Sequence, residues 1–259
     1  MLIKKLLLLV SCLLILSNSA FALTQWCDDA NILGCWTFEG SAANSLLDVS
    51  SKNNDLTNTN TVSFTSGSKC FDSSKCYEFD GGNDRYLSVT SNDFDITTGD
   101  LTVVAYIYPD TFGQNSFGRI VDFLDATAGL KGWSFYLEDA ATADSIRFEK
   151  QTPGVIVQGD ASVISTLTLQ HVAAVKNGTN LKIYVDGVQK VNDTLGDITS
   201  DTGGDLRIGI RGDDEREFDG GIDEVAAFGD AKDSTDLNDI LDNGLVQSAE
   251  PTGAPSQIW

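Results

Sequence analysis

The chain has 259 residues, 41% of them hydrophobic, and carries 38 acidic against 17 basic side chains for a net charge of −21. That apolar share supports a packed core and excludes a disordered chain. The acidic field excludes nucleic acid as a partner, because phosphate would be repelled.

Met1–Ala22 reads as a signal peptide: Lys4 and Lys5, then the apolar run LLLLVSCLLIL, then the Ala20-Phe21-Ala22 cleavage pattern. The run falls short of the roughly 20 apolar residues that span a bilayer, and no later stretch is long and apolar enough. A secreted, extracellular or cell-surface product is expected, with the periplasm as the alternative destination and no membrane insertion after cleavage. Cys12 leaves with the signal. Cys27, Cys35, Cys70 and Cys76 remain, an even set that in an exported chain reads as two disulfides. Three pairings are open; the local ones, Cys27 with Cys35 and Cys70 with Cys76, are preferred because each closes a short loop beside an expected strand. A zinc site is excluded by the missing C-x₂-C spacing and by a single histidine, His171.

From Gly34 onward, strand and turn alternate. GCWTF, CYEF, YLSV, LTVVAYIY, GRIVDFL, GWSFYLE, SIRFEK, GVIVQ, TLQHVAAV, LKIYVDG, DLRIGI and IDEVAAF are short, rich in Val, Ile, Phe and Tyr, and bounded by Gly, Asp, Asn and Ser. Asn177-Gly178 and Asp186-Gly187 predict tight hairpins, since both dipeptides tolerate positive φ. One helix is expected over DSTDLNDILDNG, with Asp233 or Ser234 as N-cap, Leu237, Ile240 and Leu241 on one face, and Gly244 at its end. Residues 23–244 then form one domain, and 245–259 read as a Pro/Gly/Ser-rich flexible tail. Unbroken strands of this number predict an all-β, two-sheet antiparallel sandwich with one short C-terminal helix. EFDGGND at Glu78–Asp84 and EFDGGID at Glu217–Asp223 nearly repeat each other, and both read as strand, glycine turn, strand within that domain rather than as a duplicated unit.

Five blocks in order, GCWTFEGS…LLDVSSKNNDLT, CYEFDGGNDRYLSV, LTVVAYIYPD, LQHVAAVKNGTNLKIYVDGVQK and LRIGIRGDDEREFDGGIDEVAAFGDA, resemble laminin-G-like jelly-roll domains of the concanavalin A-like lectin/glucanase class. The resemblance runs from about Leu33 to Leu241. Three departures stand out: Gln170 precedes His171 where the family usually has Trp, Tyr106 takes another Trp position, and SSKNND lacks a usual glycine. The resemblance implies a jelly roll, and a structural Ca²⁺ where the start of the chain meets the final strand. The matching positions are Glu39, Asp48, Asn54 and Asp223, whose oxygens suit a hard cation.

Thirty of the 38 acids are Asp, which caps turns as readily as it binds metal. A second cluster, Asp80, Asn83 and Asp84, is read as turn-forming. Glycan binding would use aromatic faces, and Phe112, Phe117, Trp133 and Tyr136 are the candidates. Catalysis is disfavoured. Glucanases of this class carry Glu-x-Asp-x-x-Glu or Glu-x-Asp-x-Glu along one strand, whereas Glu217-Phe218-Asp219 and Glu78-Phe79-Asp80 run into glycines and lack the second acid. The expected function is non-catalytic recognition of an extracellular glycan or glycoprotein. The alternatives are a self-assembling adhesive or surface-layer subunit, and a glycoside hydrolase of this fold.

Overall fold

The computed structural model describes residues 26–125, 131–140, 143–150, 155–158, 162–199 and 203–245, arranged as two stacked antiparallel sheets and one helix. The expected signal peptide and nearly all of the expected tail lie outside the described residues. In chain order the strands are β1 (Ile32–Trp36), β2 (Thr57–Thr59), β3 (Ser63–Ser66), β4 (Lys75–Asp80) and β5 (Tyr86–Thr90). There follow β6 (Leu101–Pro109), β7 (Arg119–Asp125), β8 (Lys131–Ala140), β9 (Ala143–Lys150) and β10 (Val155–Gln158). The last five are β11 (Gln170–Asn177), β12 (Asn180–Val185), β13 (Val188–Thr194), β14 (Asp205–Ile208) and β15 (Asp219–Phe228). The helix α1 spans Ser234–Asn243. The first sheet runs β13-β12-β11-β6-β15-β4-β3, with β1 also paired to β15; the second runs β10-β9-β8-β7-β14-β5-β2.

Every strand expected from the sequence is present. β2 and β3 were not expected, because TNT and SFTS are short and polar and carry no alternating apolar signal. Between the sheets lies one core that includes Trp36, Phe38, Tyr77, Phe79, Phe123, Trp133, Phe135, Phe148 and Ile222. A smaller cluster covers the far side of the first sheet. Trp26, Leu237 and Ile240 pack there on Val104, Ala173, Val175 and Phe228, so β6, β11 and β15 are apolar on both faces and read as continuous hydrophobic runs.

Local chemistry fixes the ends of the elements. Asp233 caps α1 by accepting from the N–H groups of Thr235 and Asp236, and Asp236 returns the bond to Asp233 N. Asp186 and Gly187 both have positive φ and join Val185 directly to Val188. The other hairpin sits one residue later than expected: Asn177 pairs with Asn180, so the turn is Gly178-Thr179, with Gly178 at φ +56. The two near-repeats lie side by side. Asp80 opposes Asp219, Phe79 opposes Gly220 and Glu78 opposes Gly221, so the same motif is used twice as neighbouring antiparallel segments. Gly220 is required there, because a Cβ would come within 2.1 Å of Tyr108 O.

The three departures from the family pattern have local explanations. Asn53 takes φ +58 where the usual glycine is missing, and Asn visits that region more easily than other side chains. Gln170 accepts a hydrogen bond from Ser165 N through Oε1. Tyr106 donates its hydroxyl to the carbonyls of Ile240 and Leu241, closing the end of α1.

His171 is buried beside Tyr106, with ring centroids 5.1 Å apart, and neither ring nitrogen has a hydrogen-bond partner among the described residues. Burial pushes its pKa down to about 4. The neutral imidazole is therefore favoured in the fold, and protonation favours the unfolded chain. Stability is full above the ordinary histidine pKa and falls as pH drops from about 6.5 toward 4, by up to about 3 kcal/mol. His171→Phe is expected to flatten that part of a urea-derived stability-against-pH curve. A curve of unchanged slope for the variant would assign the pH dependence elsewhere.

Candidate functional site

Two places on the fold gather polar chemistry. The first arises where β15 changes partner. Residues Asp219–Ile222 pair with β4, Val225–Phe228 pair with β1, and the register with β6 shifts between Asp223 and Ala226. Asp223 and Glu224 fall in the gap between those pairings, with Glu224 at φ +48, the geometry of a β-bulge. The gap opens into a cavity of about 550 Å³ lined by Asp28, Glu39, Asp72, Glu224, Phe71 and Val49, among others, with no Lys, Arg or His on its walls. Disulfides Cys27–Cys35 and Cys70–Cys76 brace two of those walls.

Asp223 is fully buried and accepts bonds from the N–H groups of Phe71 (2.9 Å) and Glu224 (2.8 Å). Glu224 accepts from Leu245 N at 2.6 Å, which ties the segment after α1 to the bulge. Burial first, and then the Glu224 charge, raise the Asp223 pKa to about 9. Burial, with the charges of Glu39 and Asp72 adding to it, raises that of Glu224 to about 8. Four of the lining residues, Asp28, Glu39, Asp72 and Glu224, are acids, and carboxylate oxygens are the donor type of a hard cation.

The four positions carried over for calcium do not form one ligand set. Among the described residues no three acidic, Cys or His side chains converge on a metal-sized point. Glu39 lines the cavity and Asp223 is buried behind it, whereas Asp48 and Asn54 organise the neighbouring loop. Asp48 Oδ1 accepts from Cys35 N and Ser50 N, and its Oδ2 accepts from Asn54 N, each at 2.9 Å. Asn54 donates to Leu33 O and Asp93, and its carbonyl receives the Trp36 indole N–H. These two residues bind backbone, and that suffices to explain their burial.

The second place is the outer face of the second sheet. Core-facing Trp133, Phe135 and Leu137 on β8, and Ile146 and Phe148 on β9, leave the alternate residues pointing the other way. Cross-strand register then assembles rows. Arg207, Asp122, Ser134 and Glu149 are successive partners across β14, β7, β8 and β9; Arg119, Tyr136 and Arg147 form the next row. Arg119 lies 3.6 Å from Asp122 and 3.9 Å from Glu149, and Arg147 pairs with Glu138. Burial lowers the Arg119 pKa and raises that of Asp122 to about 6, the Arg119 charge opposing the second shift. Desolvation therefore outweighs attraction on both sides of this pair.

The aromatic candidates divide on this geometry. Trp133 is a core residue: it is fully buried, and its indole N–H donates to Phe94 O at 3.0 Å, so it has no face for a ligand. Tyr136 is on the outer face but almost wholly covered, with the Arg119 guanidinium 3.7 Å from its ring centre. Phe117 is half-buried and has Arg216 over its ring at 4.5 Å. Phe112 packs against the core edge. Sequence reasoning missed the rows themselves. Alternation within SFYLE and SIRFEK was available and places Tyr136 with Ser134 and Glu138, opposite to Trp133.

Residues 80–238, more than half of the chain, match the sequence pattern of the concanavalin A-like lectin/glucanases superfamily, in its third laminin-G group. No curated protein sequence matches. Among solved structures, the binding domain of Paraclostridial Mosquitocidal Protein 1 superposes with a TM-score of 0.63 at 14% identity, over 82% of this chain and 52% of that one. Domain 4 of the extracellular arabinanase AbnA of Geobacillus stearothermophilus, solved with arabinotriose, gives 0.61 at 15% identity, over 83% of this chain and 100% of the domain. The ligand binding domain of botulinum neurotoxin serotype D, solved with N-acetylneuraminic acid, gives 0.62 at 14% identity, over 82% of this chain and 50% of that one. This chain thus spans about half of the toxin domains it matches. At such identities the likeness is one of fold, and each of these neighbours is a domain of a larger protein.

The Asp48 loop gives a stability test. Asp48→Ala strands three backbone N–H groups, all in buried bonds, and is expected to cost about 2–4 kcal/mol in urea unfolding. A loss below about 0.5 kcal/mol would show that water replaces the carboxylate without penalty.

Proposed function

The chain belongs to the concanavalin A-like lectin/glucanase superfamily, and from that premise we propose an exported, non-catalytic module that recognises an extracellular carbohydrate on the outer face of its second sheet. The observation that carries this reading is the pair of polar rows across β14, β7, β8 and β9. Arg207 and Arg147 are the half-exposed members of these rows, backed by the buried Asp122, Ser134, Arg119 and Tyr136, with the half-buried Phe117 ring beside them. A sugar presents hydroxyls that donate and accept at similar intervals, and its apolar ring face suits an aromatic side chain. The arabinotriose and N-acetylneuraminic acid complexes of the structural neighbours are consistent with this use of the fold, although fold alone does not transmit a ligand.

Recognition without turnover is favoured over hydrolysis. A retaining glycosidase needs two carboxyl groups about 5–5.5 Å apart, whereas Asp122 and Glu149 stand on strands separated by β8, with Ser134 between them and one guanidinium paired to both. The two disulfides and the signal-like N-terminus support export, and no helix among the described residues is long and apolar enough to cross a membrane. A structural Ca²⁺ belongs to the same reading. The described side chains as they stand do not converge on an ion, so binding would draw Glu39 and Glu224 of the cavity wall together with backbone carbonyls and water. Its charge would relieve the buried Asp223–Glu224 repulsion.

On a glycan array the protein is expected to select a defined group of oligosaccharides, and Arg147→Ala to weaken the best of them at least tenfold by titration calorimetry, with the circular dichroism spectrum unchanged. A protein that selects none, but forms ordered particles as its concentration rises, would replace this reading with an assembly subunit. For the ion, calcium is expected to raise the thermal midpoint by several degrees over chelator, by mass action on the folded state. Superimposable melting curves would remove it.

A further inference from the structure

Arginine is distributed unevenly over this molecule. The chain has six, and five of them, Arg119, Arg147, Arg207, Arg211 and Arg216, gather on or beside the outer face of the second sheet. Most are matched by acids: Arg147 by Glu138, Arg207 by Asp214, Arg211 by Asp213 and Glu215. Arg216 is the exception. In a chain with 38 acids to 17 bases, its guanidinium has no acidic partner among the described residues and rests on the Phe117 ring.

That position is not accidental looseness. Arg216 N donates to Gln114 Oε1 at 2.6 Å, and Arg216 O accepts from Arg119 N at 3.1 Å, so its backbone is pinned at both ends. Below it, Phe117 and Tyr136 lie with ring centroids 6.4 Å apart, and Arg119 covers the far side of Tyr136. Arg119 is 1% exposed, and its Nε and Nη1 have no hydrogen-bond acceptor. Its nearest carboxylates stand beyond hydrogen-bond reach, at 3.6 and 3.9 Å. The two guanidinium groups are close enough for Arg216 to add to the burial that lowers the Arg119 pKa. Like charges are thus held together around two aromatic rings, with the Arg119 Nε and Nη1 donors unused, in a chain of 38 acids to 17 bases.

We propose that the sugar recognised on this face carries a carboxylate, gripped by Arg216 with Arg119 as the buried positive charge behind it. This rests on the carbohydrate reading above and adds the chemical class, an acidic sugar of the uronate or sialate type. A planar carboxylate matches the guanidinium fork and forms short, charge-assisted bonds that a hydroxyl does not. The sugar ring would lie beside the stack of Arg216 on Phe117. Arg147 is paired to Glu138 and Arg119 is buried, so among the described residues Arg216 is a half-exposed guanidinium without a carboxylate partner.

The test compares oligogalacturonate and sialyllactose, each with its methyl ester, by titration calorimetry on the whole protein. At least one of the two acids is expected to bind ten times or more tighter than its ester, and which one distinguishes uronate from sialate. Arg216→Ala should reduce that acid to the affinity of its ester. Equal binding of acid and ester, or an acid preference that survives Arg216→Ala, overturns the acidic-sugar inference and leaves glycan recognition standing. Binding of neutral arabino-oligosaccharides alone does the same. Failure of these sugars together with a blank glycan array overturns both.

Discussion

The first sheet depends on what β15 does at its middle. The final strand of the sandwich sits at the centre of that sheet, against β6 along most of its length, and serves β4 with one half and β1 with the other. No single neighbour could cover all ten of its residues, because β1 and β4 approach from opposite ends of the same side. The bulge at Asp223 and Glu224 is where one ends and the other begins. Those two residues consequently have carboxylates where the sheet has no strand, and they fill the vacancy by accepting the backbone N–H groups of Phe71 and Leu245. One acid fastens the loop closed by Cys70–Cys76, the other the segment after α1. The acidic cavity is thus a consequence of topology, and the oxygens that make it look like a metal site also hold the closure together.

The two sheets treat their outer faces differently. On the first sheet α1 and Trp26 bury the outer side: Trp26 meets Phe228 edge-on at 6.3 Å and donates its indole N–H to Asp239. That side is spent on stability. On the second sheet the outer side is polar, and the aromatic rings found there carry guanidinium groups: Arg207 over Tyr86, Arg119 over Tyr136, Arg216 over Phe117. Such stacks hold a cation while leaving its in-plane donors free.

How much of this was legible depended on the range of the interaction. Short-range signals read well. Asp186-Gly187 makes its hairpin, Asp233 caps α1, and Cys27–Cys35 and Cys70–Cys76 are the bridges present. Asn177-Gly178 misled by one residue because the pairing of Asn177 with Asn180, a matter of strand register, set the turn. The near-repeat was visible as text, but its meaning was not: nothing local says that Glu78–Gly82 and Glu217–Gly221 lie against each other. The rows of the second sheet were unreadable for the same reason. Each strand showed one or two polar residues, an ordinary solvated edge, and only register turns Asp122, Ser134 and Glu149 into neighbours. Asp48 and Asn54 were the opposite case, residues whose chemistry suits calcium equally well and whose burial is already accounted for by their hydrogen bonds in the loop.

Charge is the remaining link between these observations. At −21 the molecule repels anions at a distance, but at physiological salt that field decays over about 8 Å, while the contacts on the second sheet act within 4 Å. Pooling arginines there places acids and bases in the least hydrated part of the surface. Replacing buried ion pairs by apolar residues of similar size is often neutral or stabilising, so the rows are poor candidates for a stabilising device. Arg119 makes the point: the fold removes it from water, gives it no hydrogen-bonded carboxylate, and keeps Arg216 beside it. A purely structural sheet face would have been selected toward the solution reached on the first sheet, an apolar cover of the kind Trp26, Leu237 and Ile240 provide. Retaining desolvated guanidinium groups in register with carboxylates is understandable if a polar ligand completes the arrangement, and that asymmetry between the faces is the physical reason to look for the ligand on the second sheet.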